Sequence, residues 1–441
     1  MKDKIIQFTK RPFIQNVIIL SSGTAAAQII GMLLSPIITR LYGPEAYGSM
    51  GTFMAIISII GPVSALTIPI AIVLPKNNDD AKGLIRLSLL ITTIISIVIS
   101  LILLFVNDLI INIFGIEEIA SYLYLIPIVI LFSGLLQVTE QWLIRTNQFG
   151  ISAKVTFLQA VIVNGGKVGV GFFYPIASVL ILFSALTQGL KALLILMLTR
   201  KSKYKISLNI FKSKSSIKRL ANSYKDFPIY RAPQAFLTSI SEGFPILLLA
   251  SFFGPASVGF YNIGRTVLSI PTQLIGKSVG DVFYPKISNV ANNNVNNNDN
   301  NTVTKLLTKA TLILIVIAII PFGIIFIFGP QLFSFVFGSS WIVAGEYARW
   351  IGLWSFSSFI LQPALRTLPV LSAQRLHLIY TIISLVIRVK MLAIGYLIFS
   401  SDIISIAFFG ASSGLLNVIL IFITIFISRR FDKVRENQSS L

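Results

Sequence analysis

Ten of the chain's 36 basic side chains fall inside stretches apolar enough to lie within a bilayer. They are Arg40, Lys167, Lys191, Arg231, Arg265, Lys277, Arg349, Arg366, Arg388 and Lys390. A charge at the hydrocarbon centre costs at least about 2.5–3.5 kcal/mol on insertion scales. Each such residue therefore needs a carboxylate, a water-filled hollow, or a stem long enough to reach the interface. Arg40 and Arg349, near span ends, suit the last of these. The acids at bilayer depth are Glu140, Glu242 and Asp281, with Asp226 and Glu346 nearer the interfaces. Cations outnumber them, so pairing cannot neutralise the interior. A cation-lined lumen is the consistent solution, and such a lumen attracts anions.

The eight candidate substrate-binding cations are Lys167, Lys191, Arg231, Arg265, Lys277, Arg366, Arg388 and Lys390. Arg231 and Arg366 sit closest to the cytoplasmic side. Arginine grips phosphate oxygens with a planar fork, and lysine acts as a point charge. A diphosphate carrying sugars suits that surface. Structural readings stand beside this one. Lys277 and Asp281 are spaced i, i+4 and can satisfy each other, and Glu140 and Arg145 can pair near a span end. For Glu242, Asp281 and Glu140 the functional alternative to a static ion pair is proton or sodium coupling; for Glu242 the static partner would be Arg231 or Arg265. Tyr230, Tyr261, Trp350 and Trp354 either stack on sugar rings or anchor the interface. His377 reads as interfacial. The chain has no cysteine and one histidine, which argues against thiolate or imidazole metal sites. It carries no nucleophile triad, HExxH or Walker loop, so neither a cofactor nor direct ATP use is expected.

The elements that must position these residues are membrane helices. The chain has 441 residues, 55% hydrophobic and 12% charged, with mean hydropathy +0.84. Soluble chains carry about 25% charged residues, and continuous apolar runs such as 312–328 and 403–426 exclude the alternating pattern of a barrel. The runs predict an all-α, polytopic protein of twelve spans: 13–40, 46–75, 84–107, 120–145, 152–174, 177–200, 223–253, 258–287, 304–329, 343–372, 377–399 and 403–428. Pro36, Pro62, Pro69, Pro127, Pro245, Pro271 and Pro363 are expected kink points. The first apolar run reads as a retained helix rather than a cleaved signal.

Net charge is +20, yet nucleic acid is not implied. With the N-terminus placed in the cytoplasm, the remaining 26 cations all fall on that side. The opposite loops hold Glu45, Asp108, Glu117, Glu118 and Asp402 instead. This asymmetry predicts cytoplasmic termini.

An internal repeat is present. Leu41-Tyr42-Gly43-Pro44-Glu45-Ala46-Tyr47-Gly48 aligns with Phe252-Phe253-Gly254-Pro255-Ala256-Ser257-Val258-Gly259. Each opens a long segment ending in Pro-Lys, at Pro75-Lys76 and Pro285-Lys286. The copies lie six spans apart, which predicts parallel six-helix lobes at 1–200 and 223–428. A basic linker at 201–222 joins them, and a cytoplasmic tail follows at 429–441. The Asn-rich stretch 292–301 reads as low complexity without assigned function.

These repeat segments carry a resemblance. Arg40 to Gly48, Ile70-Ala71-Ile72-Val73-Leu74-Pro75-Lys76, Phe253-Gly254-Pro255, Val258-Gly259-Phe260-Tyr261, Pro271, and Val282-Phe283-Tyr284-Pro285-Lys286-Ile287 resemble the oligosaccharide flippase family. These are the Wzx-type exporters of O-antigen and capsule repeat units, within the multidrug/oligosaccharidyl-lipid/polysaccharide exporter superfamily. The resemblance implies a V-shaped exporter of two six-helix lobes in the bacterial inner membrane. It also implies an undecaprenyl-diphosphate-linked oligosaccharide substrate, alternating access, a cationic lumen, and polysaccharide assembly proteins and membrane lipid as partners. Asp281 is not expected from it. Two other functional classes make different demands on the residues. A cation-coupled drug exporter of the same architecture would favour an acidic lumen. A polysaccharide polymerase or glycosyltransferase would need a larger outer loop or clustered acids there.

Overall fold

The computed structural model describes residues 12–200, 216–272, 277–292 and 302–439. They form fifteen α-helices with short 3-10 and π segments, and no strand is present among the described residues. The contacts group into two compact units, Met1–Gly259 and Phe260–Leu441.

In the first unit α1 spans Pro12–Ile60 and breaks at Gly43, where φ is 70° and ψ 175°. Pro36, an expected kink, stays inside regular helix. The region at positive φ with ψ near 180° is open essentially only to glycine, so the break falls at Gly43. Gly254 of the second repeat has φ 78° and ψ −176°. The two Gly-Pro turns therefore share one backbone conformation. They also meet reciprocally. A Cβ on Gly48 would lie 1.6 Å from the Pro255 carbonyl oxygen, and one on Gly259 2.3 Å from that of Pro44. Only hydrogen at these positions lets the backbones cross so closely.

The expected span 46–75 is not one helix. After Ile60 a 3-10 turn covers Gly61–Val63, Leu66 and Thr67 take left-handed conformations, and a second 3-10 stretch covers Ile68–Val73. Pro62 and Pro69 each remove a backbone donor, so together they break the helix rather than bend it. Freed carbonyls at membrane depth need partners. Gln137 Nε2 donates to Gly61 O at 2.9 Å and to Ser64 Oγ at 3.1 Å. Arg145 donates to the carbonyls of Ile72 at 3.1 Å and Pro75 at 2.7 Å.

The unit continues through α2 (Asn78–Phe114), α3 (Ala120–Leu123), α4 (Ile126–Arg145), α5 (Phe149–Gly171), α6 (Ala177–Thr199) and α7 (Ile217–Ser223). A π segment at Phe227–Arg231 leads into α8 (Ala232–Phe253). Asn77 caps α2, its side chain accepting from Asp79 N at 3.0 Å, and Gly115 at φ 57° ends it. α1 packs along α5, α6 and α8, and α4 packs against α2 and α6. Thus the seventh expected span packs with the first unit. Most of the expected linker 201–222 lies outside the described residues.

α9 (Pro255–Pro271) leads into the second unit, followed by α10 (Lys277–Asn292), α11 (Val303–Phe337), α12 (Ile342–Ile360), α13 (Gln362–Val370), α14 (Gln374–Phe399) and α15 (Asp402–Ser439). α12 packs against α11 and α15, and α14 packs on α15. Asp432 caps α11, accepting from Val303 N at 3.2 Å and Thr304 N at 2.9 Å.

Beside an apolar core that includes Phe53 and Trp341, large apolar side chains also cover the outside. Phe105 is 86% exposed and Ile320 68%, while Ser88, Ser405, Ser413 and Thr424 are fully buried. Ser88 and Thr424 donate within their own helices, to Leu84 O at 2.8 Å and Leu420 O at 2.7 Å. Lipid is a suitable solvent for the apolar outer faces, and small residues suit the close interior. Among the described residues eight helices are long and apolar enough to cross a membrane. One of these, Ile19–Val63, covers most of the first expected span and much of the second. The expected spans 152–174, 258–287 and 343–372 are helical as α5, as α9 with α10, and as α12 with α13. They fall outside the apolar set and carry Lys167, Arg265, Lys277, Arg349 and Arg366.

Candidate functional site

In the first unit, α4 and α6 each present a polar stripe at i, i+4, i+7: Ser133, Gln137 and Glu140 on α4, and Ser184, Gln188 and Lys191 on α6. This spacing places three side chains on one helix face. Ser133 Oγ donates to Gln188 Oε1, and Lys191 Nζ donates to Glu140 Oε1 at 2.7 Å. Lys191 and Glu140 thus form an ion pair, with side chains 21% and 36% exposed. The expected Glu140–Arg145 pair does not form. Arg145 instead reaches back to the carbonyls of the 3-10 stretch, because a guanidinium offers several donors to a backbone lacking its helical partners.

Lys167 on α5 joins the same stripe one step along. Its Nζ donates to Ser184 Oγ at 2.9 Å and approaches Met50 Sδ at 3.6 Å. Tyr42 Oη donates to the Lys167 carbonyl at 2.7 Å, tying α5 to the break in α1. The described partners of Lys167 are neutral, so its charge is solvated but not cancelled. Arg231, at the end of the π segment, is exposed, with its guanidinium 5.9 Å from the Phe227 ring centre. Glu242 is exposed on α8 beside Gly243, where the Ile59 side chain fills the space a Cβ would need.

The second unit holds a different arrangement. The guanidinium carbons of Arg265 on α9 and Arg388 on α14 lie 5.7 and 5.8 Å from the ring of Trp354 on α12. An indole face attracts cations, so one tryptophan gathers two arginines from separate helices. Phe409 supports the Trp354 ring edge-on at 5.5 Å and contacts Tyr261 at 6.3 Å. Arg388 Nη2 donates to Asn417 Oδ1 at 3.1 Å. Asn417 Nδ2 in turn donates to Ser357 Oγ at 3.0 Å and Ser358 Oγ at 2.9 Å. Arg388 Nε is buried without a hydrogen-bond partner. A positive group held by neutral neighbours, with a donor to spare, can take an oxyanion.

Arg366 on α13 and Lys390 on α14 are exposed. Lys277 and Asp281 fall on α10, and their side chains lie outside those described. Lys167 and Lys191 share one polar stripe, and Arg265 and Arg388 share one ring.

The sequence did not single out Trp354 as an arginine platform, nor Asn417, Ser184, Gln188, Ser133 or Gln137. The helical spacing of the polar residues on α4 and α6 was the available signal. Tyr261 is fully buried and so is no interface anchor.

No curated protein matches the chain. Several solved structures share its fold. An inward-facing multidrug resistance MATE family transporter of the MOP superfamily matches with TM-score 0.69 at 14% identity, over 93% of this chain and 99% of that one. The lipid II flippase MurJ in an inward closed conformation matches with TM-score 0.67 at 16% identity, over 96% and 91%. A MOP superfamily transporter from Pyrococcus furiosus, described as having a binding pocket of reverse polarity, matches with TM-score 0.61 at 13% identity, over 95% and 96%. The protein is thus a multi-pass integral membrane protein with the all-α fold of these structures. The family of polysaccharide biosynthesis proteins matches residues 37–346, and the chain belongs to that family.

Proposed function

We propose that this protein is a flippase. It moves undecaprenyl-diphosphate-linked oligosaccharide repeat units, of O-antigen, capsule or a related polysaccharide, from the cytoplasmic to the outer leaflet of a bacterial inner membrane. Transport proceeds by alternating access between two six-helix lobes, with both termini cytoplasmic. The observation that carries this reading is the pair of arginines on Trp354: Arg388 is held by neutral groups and has a buried donor unused. That chemistry suits a diphosphate, and an aromatic platform suits the attached sugars. Lys167, with neutral described partners, offers a second positive point. Membership of the polysaccharide biosynthesis family and the fold shared with a lipid II flippase support the same reading.

The test is complementation of a strain lacking the gene, with surface polysaccharide as readout. Arg265→Ala combined with Arg388→Ala should abolish export at normal protein levels. Unchanged export would remove the physical basis of the proposal.

The second reading, an ion-coupled small-molecule exporter, is favoured by the fold match to a multidrug transporter. It requires that expression confer drug resistance dependent on Glu242 or Asp281.

A further inference from the structure

At one end of the second unit, a recess of about 530 Å³ opens between α11, α12 and the start of α15. It is lined by Phe326, Ile327, Glu346, Arg349, Trp350 and Ile403. Arg349 reaches across it, Nη2 donating to Ile327 O at 3.0 Å. Its Nε is buried without a hydrogen-bond partner. Glu346 lies one helical turn earlier, at the i, i+3 distance where opposite charges usually meet, yet no ion pair joins the two. The recess therefore presents a positive and a negative group, side by side and unneutralised, next to an indole.

Its surroundings are those of a lipid boundary. Glu346 and Arg349 lie in the first two turns of α12, and Ile403 in the first turn of α15. Val316, Ile320, Ile324 and Ile327 of α11 are 69%, 68%, 47% and 60% exposed. Their spacing makes one helical stripe that runs into the recess at Ile327. A chain of methylenes lying along that stripe would place its polar head against Arg349.

We propose that this recess binds a phospholipid whose headgroup carries a primary amine. The phosphate takes the Nη donors of Arg349 that Ile327 O leaves unused. The ammonium donates to the Glu346 carboxylate and faces the Trp350 ring, and the acyl chains follow the α11 stripe. A purely anionic headgroup would leave Glu346 facing negative charge. A quaternary amine has no N–H to give the carboxylate. The site is separate from the arginine pair on Trp354, and it stands whether or not the chain moves a lipid-linked sugar.

Native mass spectrometry of the full-length detergent-purified protein tests this, with phosphatidylethanolamine, phosphatidylcholine and phosphatidylglycerol of identical acyl chains. The wild type should retain phosphatidylethanolamine about tenfold more tightly than the other two, as expected for one charge-assisted bond gained. Glu346→Gln should erase the preference for the ethanolamine over the choline lipid. Arg349→Ala should weaken retention of all three. Equal retention by the wild type, preference for phosphatidylglycerol, displacement by a soluble oligosaccharide, or a preference that survives Glu346→Gln would each overturn the proposal. Should Arg349→Ala fail to fold, Glu346→Gln decides alone, since it keeps the side chain's size but removes the carboxylate charge that makes the bond to an ammonium strong.

Discussion

Among the intramembrane cations, the side chain's partner separates one that stabilises from one available to a substrate. Lys191 has Glu140 at 2.7 Å, while Lys167 has a serine hydroxyl and a thioether. Removing Lys191 leaves a half-buried carboxylate without its cation. We expect Lys191→Ala to cost about 1 kcal/mol, the modest figure reflecting solvent screening at the partly exposed pair. Glu140→Gln in the same chain should recover most of that loss in a thermal melt, and failure to recover it would mean the pair is not the source of the effect. Lys167→Ala should lower export with little change in stability, because no carboxylate is orphaned. The excess of positive charge was legible in the sequence, since counting needs no geometry. The partners were not. Lys191 and Glu140 stand 51 residues apart, and the nearer Arg145 had a better offer in the unpaired carbonyls of Ile72 and Pro75.

The two Gly-Pro turns fix where segments begin. Gly43 and Gly254 occupy a backbone region closed to side chains, so Gly43→Ala and Gly254→Ala should each destabilise the protein by about 1–3 kcal/mol. Gly48→Val is expected to be worse, because its Cβ would sit inside the Pro255 carbonyl. Protein level and detergent melting temperature report both effects, and a fully stable Gly48→Val protein would contradict the crossing. The repeat was readable because a residue needed for its backbone alone leaves a sharp signature. From the sequence, Pro62 and Pro69 imply kinks and not the break at residues 61–67. What the sequence does not display is Gln137, on another helix, satisfying Gly61 O and so allowing the helix to stop. Similarly, α9 and α10, at 17 and 16 described residues, are too short to stand among the long apolar helices.

For the molecule as a whole, family membership and fold give a polysaccharide biosynthesis protein built like known transporters. The proposal is electrostatic: Lys167 and Arg388, whose described partners are neutral, would accompany an anionic lipid carrier across the bilayer. Purified protein in proteoliposomes loaded on one leaflet with a polyprenyl-diphosphate oligosaccharide measures this directly, by enzymatic accessibility of the sugar on the other leaflet. The wild type should equilibrate the lipid across both leaflets. The Arg265→Ala, Arg388→Ala double variant should leave it where it was placed. Equal transfer by the two proteins, each folded, would contradict the account.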